Sequence, residues 1–310
     1  MEQSGKKYEF TVETIEVLGR VLHRIKAIRN FGYVKAGALG GFIEKEENLS
    51  HEGNCWVYND AKVYGDAEVC GNANVCDNVN VCGNAKVHGN AWVYGYAYVC
   101  GNAEVYGNTK VCDDAYVCGN AEVYGNTKVC DDAYVCGNAN VHDNAWVYGN
   151  AWVCGNAWVC GNANVHDNAW VYGNANVYVN ANVCGNAKVH GNALVYDNAN
   201  VCGDAEVYGD AEVYGNAKVC GDANVCGDAN VYGNAEISMC SDFIVFKNWW
   251  SSGRYFTWTR SNNMWKVGCF YGTGEELIQK AYKDSEISGR EYERVVRYVE
   301  SILADEKKRE

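Results

Sequence analysis

The chain of 310 residues contains 17 cysteines, no proline and 48% hydrophobic residues, and its formal net charge is −13. No apolar run is long enough to span a bilayer and no apolar leader opens the chain, so we expect a cytoplasmic protein with reduced thiols and no membrane contact. Residues 51–240 hold 6 Lys, no Arg and 21 Asp plus Glu, which disfavours nucleic acid along that segment because phosphate binding needs basic side chains.

Residues 1–50 are predicted to form an N-terminal β cap. Their β-branched and aromatic residues predict strands over 7–13 and 20–31, and Gly37, Gly40 and Gly41 are expected to break the chain after them. A cap is needed at this point because the end of a repetitive β-structure exposes unpaired strand groups and an open core.

Residues 51–240 carry a repeat with a period of six. An aliphatic residue recurs at every sixth position from Val57 to Ile237, 31 times, without insertion or deletion. Ala usually stands two positions before it, so both side chains point to the same side of an extended segment. The Gly-Asn or Gly-Asp pair between them is typical of a turn. The pattern predicts a solenoid with Val and Ala inside.

The number of sides in one turn of this solenoid is indicated by a duplication. Residues 101–118 and 119–136 are identical, which predicts an 18-residue turn with three short parallel strands and about ten turns in all. A second duplication, ANVHDNAWVYGNA at 139 and 163, is displaced by four hexads. A two-sided turn of 12 residues therefore stays open as the alternative.

The repeat resembles the hexapeptide-repeat superfamily, in which an aliphatic residue is followed four positions later by a small one. This resemblance implies an all-β solenoid of the left-handed parallel β-helix type. The segment 22–65, which ends in HEGNCWVYNDAKVYG, is similar to the opening of uncharacterised bacterial and phage proteins of this type, some of them named acyltransferases. It therefore implies a second candidate function, acyl transfer from coenzyme A.

Acyltransferases of that superfamily act as trimers and use a His as general base near a subunit boundary. The candidates here would be His88, His142, His166 and His190. They stand directly after an aliphatic residue of the repeat, a position that Tyr and Cys occupy in other hexads. Residues 51–240 also have no Arg to bind the phosphates of coenzyme A. We assign no catalytic residue, and we favour a protein that is not an enzyme.

The trailing column, which is the residue after each aliphatic one, holds Tyr, Cys and His almost throughout. In an 18-residue turn, five of its cysteines would stack about 4.8 Å apart, namely Cys82, Cys100, Cys118, Cys136 and Cys154. Disulfides are not expected, because neighbouring side chains point the same way. No metal or other cofactor is predicted, because tetrahedral sites need ligands that converge from different directions.

The leading column, which is the residue before each aliphatic one, carries a candidate binding surface. Five aromatic residues would stack in register on one face, a set that we call the aromatic strip: Tyr98, Tyr116, Tyr134, Trp152 and Trp170. Stacked aromatic residues stabilise a sheet by cross-strand contacts, and an exposed apolar strip is also typical of an interface. We favour an association surface over a sugar or ligand site.

Residues 241–310 are predicted to form a small α+β unit. Strands are expected over 243–247, 255–259 and 264–271, and capping boxes at Thr273 and Ser288 predict two helices. Burial against the rod is the first interpretation of the many aromatic residues. A candidate binding patch for an anionic group is the second interpretation, formed by Arg254, Trp258, Arg260 and Trp265.

The sequence thus predicts a rigid acidic rod that acts as a structural or interaction module. Its partner would be a second copy of the chain or another protein, bound through the aromatic strip or the C-terminal unit. The alternative function is an acyltransferase of the hexapeptide-repeat type that depends on coenzyme A, in either an active or a degenerate form.

Overall fold

A computed structural model describes residues 5–309. The chain begins with strands β1 (Tyr8–Val17), β2 (Arg20–Ala27) and β3 (Leu39–Ile43). Two-residue strands β4–β34 follow at every sixth residue, from Trp56–Val57 to Glu236–Ile237. The remaining elements are β35 (Phe243–Lys247), β36 (Tyr255–Thr259), β37 (Met264–Val267), β38 (Phe270–Gly272), α1 (Gly274–Asp284) and α2 (Glu286–Glu306).

The repeat forms a parallel β-solenoid with three sides. Each short strand pairs with the strand three later, so that Val57 lies beside Val75, and this 18-residue turn rules out the two-sided alternative. The first face is the sheet β1-β2-β3-β5-β8 and onward to β32, the second runs from β4 to β34, and the third from β6 to β33. Because β3 adds a strand before the first hexad, the rod has about 11 turns.

The aliphatic and Ala columns fill the interior of the rod, as predicted. Their members are fully buried along the whole repeat. Thr109 and Thr127 replace Ala in adjacent turns, and their hydroxyl oxygens lie 3.0 Å apart, so that each buried hydroxyl has a hydrogen-bond partner. The core is therefore one continuous apolar column that fixes the direction of every outward side chain.

One corner of the rod is held by a ladder of asparagine side chains. The Nδ2 group of each Asn donates to Oδ1 of the Asn 18 residues later, in an unbroken series from Asn54 to Asn234. The distances lie between 2.9 and 3.3 Å. Such ladders stabilise stacked identical segments because every amide serves both neighbours. This explains why Asn recurs at the second turn position.

The first turn position requires the left-handed backbone conformation. Gly occupies it in most turns and Asp in several others, and most of these Asp carboxylates accept a hydrogen bond from a backbone N–H of the next turn. Asp197, for example, has φ 58° and its Oδ2 accepts from the backbone N–H of Gly215 in the next turn at 3.3 Å. Val179 has φ 65° at the same position and is a β-branched residue without such a bond.

Replacement of Val179 by Gly should therefore stabilise the rod by about 1 kcal/mol, because the left-handed conformation costs a β-branched residue roughly that much. The free energy of unfolding in urea is the measurement. Asp197→Gly is the matched control, and it should gain less because it loses the carboxylate hydrogen bond. An equal or lower stability of Val179→Gly would contradict this explanation.

Both ends of the rod are closed by side chains that pair exposed backbone groups. Many backbone N–H groups of each turn donate to carbonyl groups of the following turn, as in the bond from Trp56 N to Ala73 O, so the first turn presents carbonyl groups at the N-terminal end. At the N-terminal end, the buried Asn48 amide donates to Ala67 O at 2.8 Å. The buried Lys7 ammonium donates to Cys55 O at 2.8 Å, and burial lowers the pKa of Lys7. Hydrophobic contacts and these bonds replace the missing preceding turn.

The last turn is closed by hydroxyl groups of the C-terminal unit. Asn230 N donates to Thr257 Oγ1 at 2.8 Å, and Glu236 N donates to Ser261 Oγ at 2.7 Å. Phe243 packs against the end of the rod core. No helix within residues 5–309 combines the length and the apolarity needed to cross a membrane.

The structure differs from the predicted elements at several points. The first strand is β1, Tyr8–Val17, instead of 7–13, and the second is β2, Arg20–Ala27, instead of 20–31. Gly40 and Gly41 lie inside β3 rather than in a break, and a Cβ on either would collide with Val57, so the two glycines let β3 lie close to the first hexad. The predicted strand over 264–271 is two strands, β37 and β38, separated by a turn at Gly268 with φ 54°. The second helix starts one turn before Ser288, because the Ser285 hydroxyl caps it.

Candidate functional site

The aromatic strip lies on the first face, as its spacing requires. Its members occupy β11, β14, β17, β20 and β23, which pair in direct register. Ring centroids of successive members are 4.9 to 5.1 Å apart, and the rings are nearly parallel. The structure thus brings all five predicted residues together in one continuous stack.

The strip is partly exposed and uncharged. Trp152 and Trp170 are 38% and 41% exposed, while the three tyrosines are half-buried. Its five turns span about 24 Å at the usual strand spacing. Neither the strip nor the trailing column beside it has a charged side chain between Tyr98 and Tyr172, whereas the rod as a whole is strongly acidic. The strip is therefore an uncharged and partly exposed aromatic surface on an acidic rod.

A row of five cysteines lies beside the strip in the trailing column. Hydrogen bonds from Cys100 and then Cys136 stabilise the thiolate of Cys118, which lowers the pKa of Cys118. The same contacts raise the pKa of Cys100 and Cys136, because these two thiols act as donors. We therefore expect alternate members of the row to differ in reactivity, although their positions in the repeat are equivalent.

Cys118 should react with iodoacetamide at a lower pH than an ordinary thiol, because the thiolate is the nucleophile and persists below the usual pKa. Cys76 is the internal control, since burial raises its pKa to about 11. Peptide mass spectrometry after brief labelling at several pH values gives both rates in one sample. Faster labelling of Cys76 near neutral pH would contradict the assignment.

The second face contains a disulfide that the sequence argument did not predict. Cys112 and Cys130 lie in adjacent turns with a Cα–Cα distance of 4.7 Å, and their sulfur atoms are bonded. The expectation that all thiols are reduced is thus wrong for this pair. Parallel side chains one turn apart are within the range of a disulfide, and rotation about the Cα–Cβ bonds turns the sulfurs towards each other. The remaining 15 cysteines are unpaired.

The four residues of the predicted C-terminal patch lie in different surroundings. Trp258 and Trp265 are 1% and 2% exposed and form the core of the C-terminal unit with Phe256, so their rings offer no stacking face. Arg260 forms an ion pair with Glu306 at 2.7 Å. Arg254 lines a separate cavity of about 280 Å³ together with Lys280. An anionic group could therefore be held by Arg254 and Lys280, but not by the patch as a whole.

The four histidines considered as general bases lie on all three faces. His88 and His142 are on the third face, His166 is on the second, and His190 is on the first. Three of them lie beside a carboxylate: His142 Nδ1 is 3.3 Å from Asp143 Oδ2 and His166 Nδ1 is 3.2 Å from Asp167 Oδ2. The contact of His190 is the shortest, with Nε2 2.9 Å from Glu206 Oε1. A carboxylate can orient an imidazole for proton transfer, so His190 is the histidine of this set best placed to act as a base.

No model of a protein family matches the chain. A segment of 39 residues is 49% identical to a protein named "Uncharacterized acetyltransferase YdcK" from Escherichia coli (strain K12). The alignment covers 13% of this chain and 12% of that protein, so the chain matches about an eighth of the relative's length. The similarity and the three-sided solenoid are both compatible with the hexapeptide-repeat proteins.

Proposed function

We propose that the chain is a structural or interaction module whose rod associates with a second copy through the aromatic strip. The observation that carries this proposal is the continuous stack of five partly exposed rings on an otherwise acidic rod. Burial of such a surface is favourable, and the strip itself adds no charge to the repulsion between two acidic rods.

The size of the strip determines how strong this association is. The strip is five turns long, about 24 Å in total, and only one narrow face wide. Its contact would bury only a few hundred Å² per copy, which is less than a stable, permanent interface buries. The proposed contact is therefore weak and reversible, and its extent rises with protein concentration. A partner protein that presents a matching apolar strip could occupy the same surface.

The test replaces Tyr116, Tyr134 and Trp152 together by Lys, which places three charges in the centre of the strip. Sedimentation of the reduced protein over a range of concentrations should show self-association for the native chain and none for this variant. The matched control introduces the same three charges on the second face, at Asn74, Asn164 and Asn200. Equal association of the native chain and the strip variant would refute the proposal.

The C-terminal unit supplies a second contact region in this proposal. Its cavity is lined by the cations of Arg254 and Lys280, by the hydroxyl of Ser288 and by one carboxylate, that of Asp284, so the two cations outnumber the single acidic group. A carboxylate of a partner protein fits this chemistry, because Arg and Lys donate charge-assisted hydrogen bonds to such a group. The rod would then hold this cavity at a fixed distance from the N-terminal cap.

The second candidate function is acyl transfer from coenzyme A, which the name of the similar protein and the His190–Glu206 pair favour. It requires that acetyl-CoA binds and that the loss of one of the four histidines abolishes this interaction. Isothermal titration of the reduced chain with acetyl-CoA, followed by His190→Gln and the three other single replacements, separates the two functions. Absence of binding by the native chain would remove this candidate.

A further inference from the structure

Two groups of side chains with the same arrangement lie outside the surfaces described above. One consists of His166, Asp167 and Cys184, and the other of His142, Asp143 and Cys160. Within each group, one potential ligand atom from each residue lies within 4.8 Å of the other two. Imidazole nitrogen, carboxylate oxygen and thiolate sulfur are the ligands that Zn²⁺ takes in proteins.

Each of these groups combines two residues of the trailing column, one turn apart, with one residue at the first turn position. His166 and Cys184 occupy the trailing column in adjacent turns, and Asp167 stands at the turn position that requires positive φ, at 61°. In that conformation the carboxylate lies towards the next turn, where its Oδ2 accepts from Gly185 N at 3.1 Å. His166 Nδ1 is 3.2 Å from the same oxygen. The ligand directions therefore converge, which the trailing column alone would not provide.

Asn182 holds two of the three side chains of the first group. Its Oδ1 lies 3.0 Å from His166 Nε2, and its Nδ2 donates to Cys184 Sγ at 3.5 Å. A hydrogen bond from Nε2 to this oxygen directs the other ring nitrogen, Nδ1, towards the carboxylate of Asp167, and the two groups could share a cation there. A hydrogen bond to the outer nitrogen of a metal-binding His is the usual support of such a ligand.

We propose that His166, Asp167 and Cys184 bind a divalent transition-metal ion such as Zn²⁺. Bond lengths of about 2.0 to 2.3 Å place tetrahedral ligand atoms about 3.5 Å apart, so the side chains need to close by about 1 Å. The side chain of Asp167 is 57% exposed, which leaves solvent access for the ion and for water as a fourth ligand. Binding forms a metal–sulfur bond and releases the thiol proton of Cys184 to the solvent.

The second group is a weaker site of the same kind. His142 Nδ1 is 3.3 Å from Asp143 Oδ2, so the primary ligands match. However, the position that Asn182 has beside His166 is taken here by Trp158, whose ring meets His142 edge-on at 5.9 Å. His142 Nε2 is buried and has no hydrogen-bond partner among the described residues. Without an outer partner the ring is oriented less firmly, and the affinity falls.

The probe is Co²⁺ alone, added to the reduced full-length chain in which Cys112 and Cys130 are both Ser, so that this pair contributes no ligand. We expect a sulfur-to-cobalt charge-transfer band in the near ultraviolet, and displacement of the cobalt by Zn²⁺. Asp167→Gly and Cys184→Ser should both remove the band of the tighter site. Asp167→Gly keeps the fold, because Gly occupies the same position in neighbouring turns, as at Gly185.

Two further variants make the test specific to this site. His88→Gln is the matched control, because His88 lies in the same column but is followed by Gly89 and has Tyr106 one turn later. This variant should leave the titration unchanged. Asn182→Ala should raise the dissociation constant of the tighter site by about ten- to a hundredfold. No cobalt band in the parent protein, or an unchanged band in Asp167→Gly and Cys184→Ser, would overturn the proposal.

Discussion

Trp258→Ala is expected to lower the free energy of unfolding of the C-terminal unit by about 3–5 kcal/mol, the range for a large aromatic side chain removed from a core. Trp258 lies on β36, is 1% exposed and packs with Phe256 and Trp265. Its Nε1 group also donates to Asn263 Oδ1 at 2.9 Å, so the variant leaves this acceptor without its partner. Urea unfolding followed by the fluorescence of the remaining tryptophans measures the change.

Trp249→Ala is the matched control for this prediction. Trp249 is in the same unit but 74% exposed, and its removal should change the free energy of unfolding by less than about 0.5 kcal/mol. A large loss for Trp249 and a small one for Trp258 would mean that the tryptophans of this unit are arranged differently from the structure described above.

Ending the chain after Asp242 is expected to turn the protein from a defined species into aggregates. The truncation removes the hydroxyl acceptors that Thr257 and Ser261 offer to the last turn, and it uncovers the Val and Ala core at that end. Exposed strand edges and apolar ends associate with other chains, and terminal caps of repeat proteins prevent this. Size-exclusion chromatography with light scattering measures the result.

Two point variants distinguish the effect of losing a hydroxyl acceptor from the effect of losing the whole C-terminal unit. Thr257→Val leaves Asn230 N without an acceptor, which should cost about 1–3 kcal/mol of stability at that end of the rod. Thr257→Ser retains a hydroxyl and should cost much less. A soluble, monodisperse truncated rod would show that the C-terminal unit is not needed to close the last turn.

The rod could be predicted from the sequence almost completely, because a solenoid is governed by nearest-neighbour contacts that repeat every turn. The position of Val57 in its hexad fixes its direction, and the direct duplication of residues 101–118 indicated the three-sided turn. The stack from Tyr98 to Trp170 followed from the same register. Here the same contacts between adjacent turns, repeated along the rod, determine its long-range geometry.

Features that depend on rotation about side-chain bonds could not be predicted in this way. The disulfide between Cys112 and Cys130 and the approach of Asp167 to His166 both depend on how side chains turn from a fixed backbone. The sequence does hold a signal for the latter, namely a His-Asp pair followed by Cys 18 residues after the His. That signal becomes meaningful only when the positive φ of the Asp is taken into account.

The C-terminal unit was the least predictable part, because its contacts are not repeated. Trp258 and Trp265 alternate with polar residues in a way that fits either a buried or an exposed strand face. Packing of α1 and α2 on one side of the sheet decides in favour of burial. The choice depends on tertiary contacts between segments whose relative positions no local pattern specifies.

The central claim, that the aromatic strip joins two copies of the rod, is tested most directly by the solution mass of the reduced native chain. Light scattering should be recorded from dilute to concentrated protein. We expect a mass near that of one chain at low concentration and a rise towards two chains as the concentration increases. A mass of one chain at every concentration would contradict the claim.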